Sequence, residues 1–382
     1  MNRPRTEPVD AATAAELRAT LRGLLATDVG RKRHLGVQLA VQVGGAELLR
    51  IEAGWLDRAR RRAVRTDSVF SVFSATKGIA ALAVWTLVDA GRLELEAPVP
   101  DVWPGFRTRL SVAEMLSHQG GLHRVPDDLD QASLADLDFG VEWVGSLPAA
   151  WPPGTDSGYH TITFGWLVEG LVRAVTGAST AELVRVALAE PLGLADELGL
   201  GLPPSWDERA AEVVELAEAR GLPWLDDELV GHPALEAMPR SFVPDWNDDA
   251  LRRSGHPAFG AWASARALAA LYAGAGTVLS ATTASCLAQP RFEGVDRCLG
   301  VPLRRGVGFD LGGPDPDGTV GTIGPRPTAF GHGGHGGQVA FADPDVRLAV
   351  GMTANLLAAV DVVEDRTTPV CELVRAYLGC AV

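Results

Sequence analysis

Hydrophobic positions along the chain change period several times, and each change marks an element. Leu and Ala recur at helical spacing over 11–25 (AATAAELRATLRGLL), which predicts a helix. Leu35–Val43 and Glu47–Trp55 read as strands split by Gly44-Gly45, which predicts a hairpin. Asp67–Phe73 leads into Lys77–Val88, apolar on most sides and closed by Gly91, the pattern of a deeply buried helix. Residues 111–118 (SVAEMLSH) predict a short helix ended by Gly120-Gly121, and 162–175 a helix stopped by Gly177. Further helices are expected over 180–189 and 263–273, and an acidic amphipathic one near 207–220. Trp151-Pro152-Pro153-Gly154 is a loop. Gly306–Leu311, Gln338–Ala342 and Arg347–Thr353 read as strands, the last two joined by Asp343-Pro344-Asp345, and a final helix covers 361–378.

Strands therefore sit at both ends and helices in the middle. That layout predicts an α/β (α+β) fold, with an antiparallel sheet built from both termini, helices on its faces and a mostly helical region inserted. The expected division is a sheet lobe from 1–92 and 301–382, a helical lobe from 93–300, and an active site between them.

Composition narrows the function. A chain of 382 residues with 47% apolar residues suits a packed two-lobed enzyme. A net charge of −14 argues against binding nucleic acid as a main task. The basic run Arg58-Ala59-Arg60-Arg61-Arg62 reads as a solvated connection. No stretch of about 18 apolar residues free of charge predicts a membrane span. Met1–Leu24 has no apolar core of the kind a secretory signal needs, and Cys286, Cys298, Cys371 and Cys380 form no CxxC pair. A cytoplasmic protein with free thiols is the expectation. Nothing in the chain sets its oligomeric state.

Three segments carry candidate chemistry. Ser74-Ala75-Thr76-Lys77 is an S-x-x-K at the start of the buried helix. At i and i+3 the amine lies beside the hydroxyl. A lysine in a poorly hydrated site gives up its proton more easily and can then take one from serine. Gly154–Thr161 places Tyr159 in a Gly-rich loop ahead of a helix, suited to presenting a phenol to a cleft, although an aromatic packing under the loop fits the same pattern. Gly331-His332-Gly333-Gly334-His335-Gly336-Gly337 enters a strand pair, and so many glycines there imply close approach of a backbone or ligand. Two His are too few for a metal site without a third ligand, so neither metal nor cofactor is expected.

Taken in order, these segments resemble the serine β-lactamase and penicillin-binding family. They look most like its esterase branch, the class C-like family VIII carboxylesterases. SVFSATKGIAALAVWTLVDAGRLELEAPV, LSVAEMLSHQGGL, PPGTDSGYHTITFGWLVEGLVRAVTG and FGHGGHGGQVAFADPDVRLAVG carry the likeness, from about 30 to 378. The resemblance implies a β-lactamase-like fold, Ser74 as nucleophile, Lys77 as its partner and Tyr159 as general base and acid. It implies an oxyanion hole from the backbone N–H groups of Ser74 and His335. Where the family carries Y-x-N this chain has Thr161 for the Asn, and where β-lactamases carry K-T-G it has His332-Gly333-Gly334. Both departures resemble the esterase branch and weaken the case for β-lactam hydrolysis.

His160, Thr161, Phe259, Trp262, His332, Gly333 and Gly334 are the expected substrate-binding residues. Bulky His335, Phe259 and Trp262 would also wall off a site for a second substrate if they line the cleft. The function expected is a serine acyl-enzyme hydrolase acting on esters of small carboxylic acids. The alternatives are an acyltransferase passing the same acyl group to an alcohol or amine, a β-lactamase or D-amino-acid peptidase, and a catalytically idle binding protein. The expected partner is a small acyl donor, with neither nucleic acid nor membrane.

Overall fold

Strands from both chain ends pair into one antiparallel sheet. The computed structural model describes residues 9–216, 233–238, 243–357 and 360–380. The sheet strands are β1 (Gly36–Val43), β2 (Ala46–Gly54), β3 (Phe292–Val295), β4 (Pro302–Arg305), β5 (Asp310–Leu311), β6 (Phe330–Gly334), β7 (Gln338–Asp343) and β8 (Leu348–Ala354). Their spatial order is β2-β1-β8-β7-β6-β5-β4-β3. In register, Leu39 lies opposite Ile51 on one side and Met352 on the other. The sheet extends to Phe292–Val295, ahead of the boundary at 301 expected from sequence.

Central strands are covered on both faces, so β1, β7 and β8 are buried almost throughout. One face takes helix α1 (Ala11–Gly30), whose Leu17, Leu21 and Leu25 pack on Val37, Leu39, Val350 and Met352 with the C-terminal helix. The other face takes Ala265–Ala273 through small contacts, Ala40 against Ala265 and Ala269. Beyond it lies helix α2 (Ala75–Asp89), buried from Ala75 to Trp85 and set against β6. Helix α3 (Thr163–Thr176) packs on α2 and ends at Gly177, φ +75°.

Several sequence expectations need correction. The helix over 111–118 has its capping box at Ser111 and Glu114, but its chain reversal comes at His118, φ +62°, before the glycines. Within 180–189 the α-helix gives way after Val184 to π turns over Arg185–Ala189. The strand expected over 306–311 is paired only at Asp310–Leu311. Ahead of it Gly306 donates to Phe309 in a tight turn, and Gly308, φ +86°, presses on Ala81 of α2.

The acidic helix expected near 207–220 does not form in its described part. Pro204–Arg209 is a 3-10 turn, and Val214–Glu215 is extended beside Leu356–Leu357; residues 217–220 lie outside the described residues. The apolar side chains here serve separate pockets: Trp206 and Ala210 beside Val69, Ala211 beside Leu56, Val213 beside Phe73, Val214 beside Leu35. A single helical face could not reach all four, so tertiary packing overrides the local pattern. Among the described residues no helix is long and apolar enough to cross a membrane.

Candidate active site

Ser74 sits at the head of α2 because the preceding chain turns sharply. Phe70–Ser71 pairs with Trp262–Ala263, and Phe73 then takes φ +45°, a left-handed conformation costly for an aromatic residue. Ser74 follows in helical conformation, with its carbonyl accepting from Lys77 N–H at 2.9 Å. Lys77 is fully buried, and its Nζ lies 3.2 Å from Ser74 Oγ and 3.1 Å from the carbonyl of Ala258. Burial pushes the Lys77 amine well below the usual lysine range; Asp310 pulls it back and Arg305 pushes it further down. A buried neutral amine at this distance can accept the serine proton.

Tyr159 is fixed from beneath by a buried ion pair. Asp296 Oδ1 accepts the N–H groups of Tyr159 at 3.0 Å and of Cys298 and Leu299 at 2.9 Å. Its Oδ2 accepts Arg305 Nη1 at 2.8 Å, with both side chains almost wholly out of solvent. Arg305 also donates to Ser157 Oγ at 2.9 Å, and its guanidinium lies 5.5 Å from the Tyr159 ring centre. Burial raises the Tyr159 phenol, with a hydrogen bond to Ser74 opposing. The phenol therefore stays protonated through the ordinary pH range.

His118 lies tilted against the Tyr159 ring, with centroids 4.8 Å apart. Leu122 N–H donates to His160 Nε2 at 2.9 Å, so His160 carries its proton on Nδ1, which faces His118 Nδ1 at 3.3 Å. His118 Nδ1 also accepts His160 N–H at 3.1 Å. Burial pushes both imidazoles down and keeps them neutral.

The glycines of β6 allow this strand to approach the head of α2 closely. A Cβ on Gly334 would stand 2.3 Å from the carbonyl of Val72 and 3.1 Å from Ala75 N. At Gly78 of α2 it would meet the Tyr272 hydroxyl at 2.1 Å. Neither position has room for a larger residue. His332 is buried, its Nδ1 2.6 Å from the Gly333 carbonyl and 3.9 Å from Asp310 Oδ2, and burial lowers it. His335 meets Phe73 edge-on at 5.7 Å, and burial beside Arg366 pushes it down to about 4.

Ser74, Tyr159, His332, Gly333, Gly334 and His335 share one cleft of about 920 Å³, continued outward by Leu299, Val301, Leu303, Val320 and Ile323. Lys77, fully buried, does not line it. Four expected substrate-binding side chains do not line it. His160 is turned inward to His118. Thr161 has its N–H on the Tyr159 carbonyl at 3.0 Å. Phe259 stacks on His256 at 4.1 Å within the core. Trp262 packs with Val69, Leu202 and Trp206, under Arg252. Trp262 shares its short strand with Ala261 and Ala263, and pairing with Phe70–Ser71 and Leu198–Leu200 fixes its side chain in that separate cluster. Sequence reading missed Asp296, Arg305, Asp310 and His118. Asp296 reaches Tyr159 across 137 positions, and no local pattern marks it. Among the described residues no group of three His, Cys, Asp or Glu could hold a metal ion.

A family model described as Beta-lactamase matches residues 17–369. The chain is 34% identical over 357 residues to the esterase/beta-lactamase LipL of Mycobacterium tuberculosis, covering 87% of this chain and 80% of that protein. A solved family VIII carboxylesterase superposes with a TM-score of 0.81 at 26% identity, covering 95% of this chain and 99% of that one. A penicillin-binding protein homologue from Caulobacter crescentus gives a TM-score of 0.84 at 29% identity, covering 97% and 99%.

Proposed function

The chain belongs to the Beta-lactamase family, and from that premise we propose that it is an esterase-type serine hydrolase acting on esters of small carboxylic acids through an acyl-enzyme on Ser74. One observation carries the reading: a fully buried Lys77 amine, held below its usual pKa, 3.2 Å from Ser74 Oγ. Ser74 attacks the ester carbonyl as its proton passes to Lys77. The oxyanion rests on the backbone N–H groups of Ser74 and His335. Lys77 returns the proton through Tyr159 to the leaving alkoxide, and the acyl group stays on Ser74. Water then attacks the acyl-enzyme, giving its proton back along the same route and releasing the acid.

Two features favour esters over β-lactams. The cleft cations are already engaged, Arg304 by Glu293 and Arg305 by Asp296. A substrate carboxylate arriving at β6 would meet neutral His332 with Asp310 beside it. Water is favoured as acceptor over an alcohol or amine, because Phe259 and Trp262, two of the three side chains that could wall off an acceptor site, lie in the core. Four unpaired thiols support a cytoplasmic setting.

The test is mass spectrometry after brief exposure to an activated phosphonate. One adduct is expected, on Ser74, and Ser74→Ala is expected to lose labelling and ester turnover together. An adduct on another serine, with activity kept in Ser74→Ala, overturns the assignment.

A further inference from the structure

The cleft continues well past the reacting centre, and its outer wall exposes large apolar side chains between polar ones such as Arg304, Asp317 and Thr319. Among the described residues seven large hydrophobic side chains are exposed, and three of them, Leu299 at 45%, Val301 at 48% and Val320 at 45%, line this one cleft. Isolated exposed apolar residues need no explanation, but grouping at the mouth of a functional cleft does. Inward, the strip continues through Leu303, Leu311 and Ile323 toward Asp310 and the catalytic side chains.

Both walls are built and anchored. The segment carrying Leu299 is tied down by Asp296, which accepts the N–H groups of Cys298 and Leu299. The segment carrying Val320 is closed by Gly313 N–H on the Gly324 carbonyl at 2.8 Å and by Thr322 on Thr368 at 2.8 Å. Asp315 and Asp317 stand on the same wall. Burial and the neighbouring carboxylates raise Asp315, so a second negative charge there is resisted.

We propose that this strip is the binding trough for an extended aliphatic arm of the substrate ester, one that ends without a carboxylate. The inference rests on the ester-hydrolase reading, which fixes one end of the substrate at Ser74. The trough then takes whichever arm points outward. Each methylene laid against apolar walls contributes roughly two- to fourfold in kcat/KM, from about 0.8 kcal/mol for full burial and less for a half-open trough.

Two ester series below their micelle concentrations test it. One varies the acyl chain of p-nitrophenyl esters from two to eight carbons; the other varies the alcohol of alkyl butyrates over the same range. In at least one series kcat/KM should climb about two- to fourfold per methylene up to six or more carbons. The double variant Leu299→Ser, Val320→Ser should flatten that climb, while Val186→Ser, an exposed apolar residue elsewhere, should keep it. An ω-carboxylate on the long arm should remove most of the gain. Flat dependence in both series, with brisk turnover through Ser74, overturns the trough and leaves the hydrolase intact; so does a slope unchanged in the double variant. Absence of turnover on every ester instead removes the reading beneath it.

Discussion

Asp296→Asn isolates what the buried ion pair does for Tyr159. The amide oxygen can still accept the N–H groups of Tyr159, Cys298 and Leu299, but the amide nitrogen then faces Arg305 Nη1 where a carboxylate oxygen stood at 2.8 Å. Two donors confront each other, and a guanidinium only 2% exposed loses its counter-charge. Breaking one side of a buried pair costs about 3–5 kcal/mol. Asp310, 3.8 Å from Arg305 Nε, retains part of the attraction, so the lower end, about 3 kcal/mol, is expected. For 382 residues that lowers Tm by about 4 °C, at about 1.2 °C per kcal/mol. A loss of stability alone would fit a merely structural pair. The discriminating readout is kinetic, taken at least 15 °C below the transition. A phenol displaced by about 1 Å loses roughly 10²-fold in kcat with KM little changed. If Tm falls as expected while kcat on p-nitrophenyl butyrate is untouched, Asp296 does not position Tyr159 and the reasoning fails.

Two further outcomes follow from the electrostatics of the cleft. Because burial lowers Lys77, kcat/KM should rise with pH as the amine deprotonates well below the ordinary lysine value of about 10.4, then stay flat into alkali because the Tyr159 phenol is raised; Lys77→Arg, which cannot deprotonate, should cost about 10²–10⁴-fold, and a pH profile that rises only near the ordinary lysine pKa refutes the neutral-base role. A chromogenic cephalosporin should turn over roughly 10²-fold or more below p-nitrophenyl butyrate, since a buried polar partner left unmatched weighs heavily in specificity and a substrate carboxylate at β6 would meet His332, lowered by burial, with Asp310 beside it; comparable rates would overturn the ester preference.

What the sequence made legible was what local spacing controls. Ser74 and Lys77 lie one helical turn apart, so their meeting follows from local spacing at the head of α2, which is announced by its long, mostly apolar run. The hairpins at 36–54 and 338–354 are local too, marked by Gly44-Gly45 and by Pro344. The glycines of 331–337 announced a close approach, and Gly334 makes one against Val72. Illegible were the features made by packing between distant segments. Nothing near Asp296 or Arg305 says that the two will sit under Tyr159. Phe259 follows Ala258, whose carbonyl accepts from Lys77, and Trp262 follows Ala261, whose carbonyl accepts Val72 N–H, yet strand pairing and core packing place both rings outside the cleft. The helix expected near 207–220 fails for a related reason: its apolar residues are claimed by four different clusters.

The chemistry proposed for Lys77 asks for two opposed things, and the site supplies both. Before attack the amine must be neutral, and burial pushes it in that direction. After it takes the serine proton it must be stable as an ammonium. Partners for that charge are already in place: the Ala258 carbonyl at 3.1 Å, the Tyr159 ring at 4.8 Å, the Phe164 ring at 6.0 Å and the carboxylate of Asp310. None needs to move when the charge appears, which is the condition under which fixed dipoles and rings lower a barrier. Arg305 is the dissenting charge, since its cation works against the ammonium. Asp296 answers it across 2.8 Å, with both side chains almost wholly out of solvent, and so offsets part of that opposing charge. In the proposed proton relay Asp296 would therefore bear on both groups at once, holding the loop of Tyr159 by its backbone and offsetting the cation that opposes charge on Lys77.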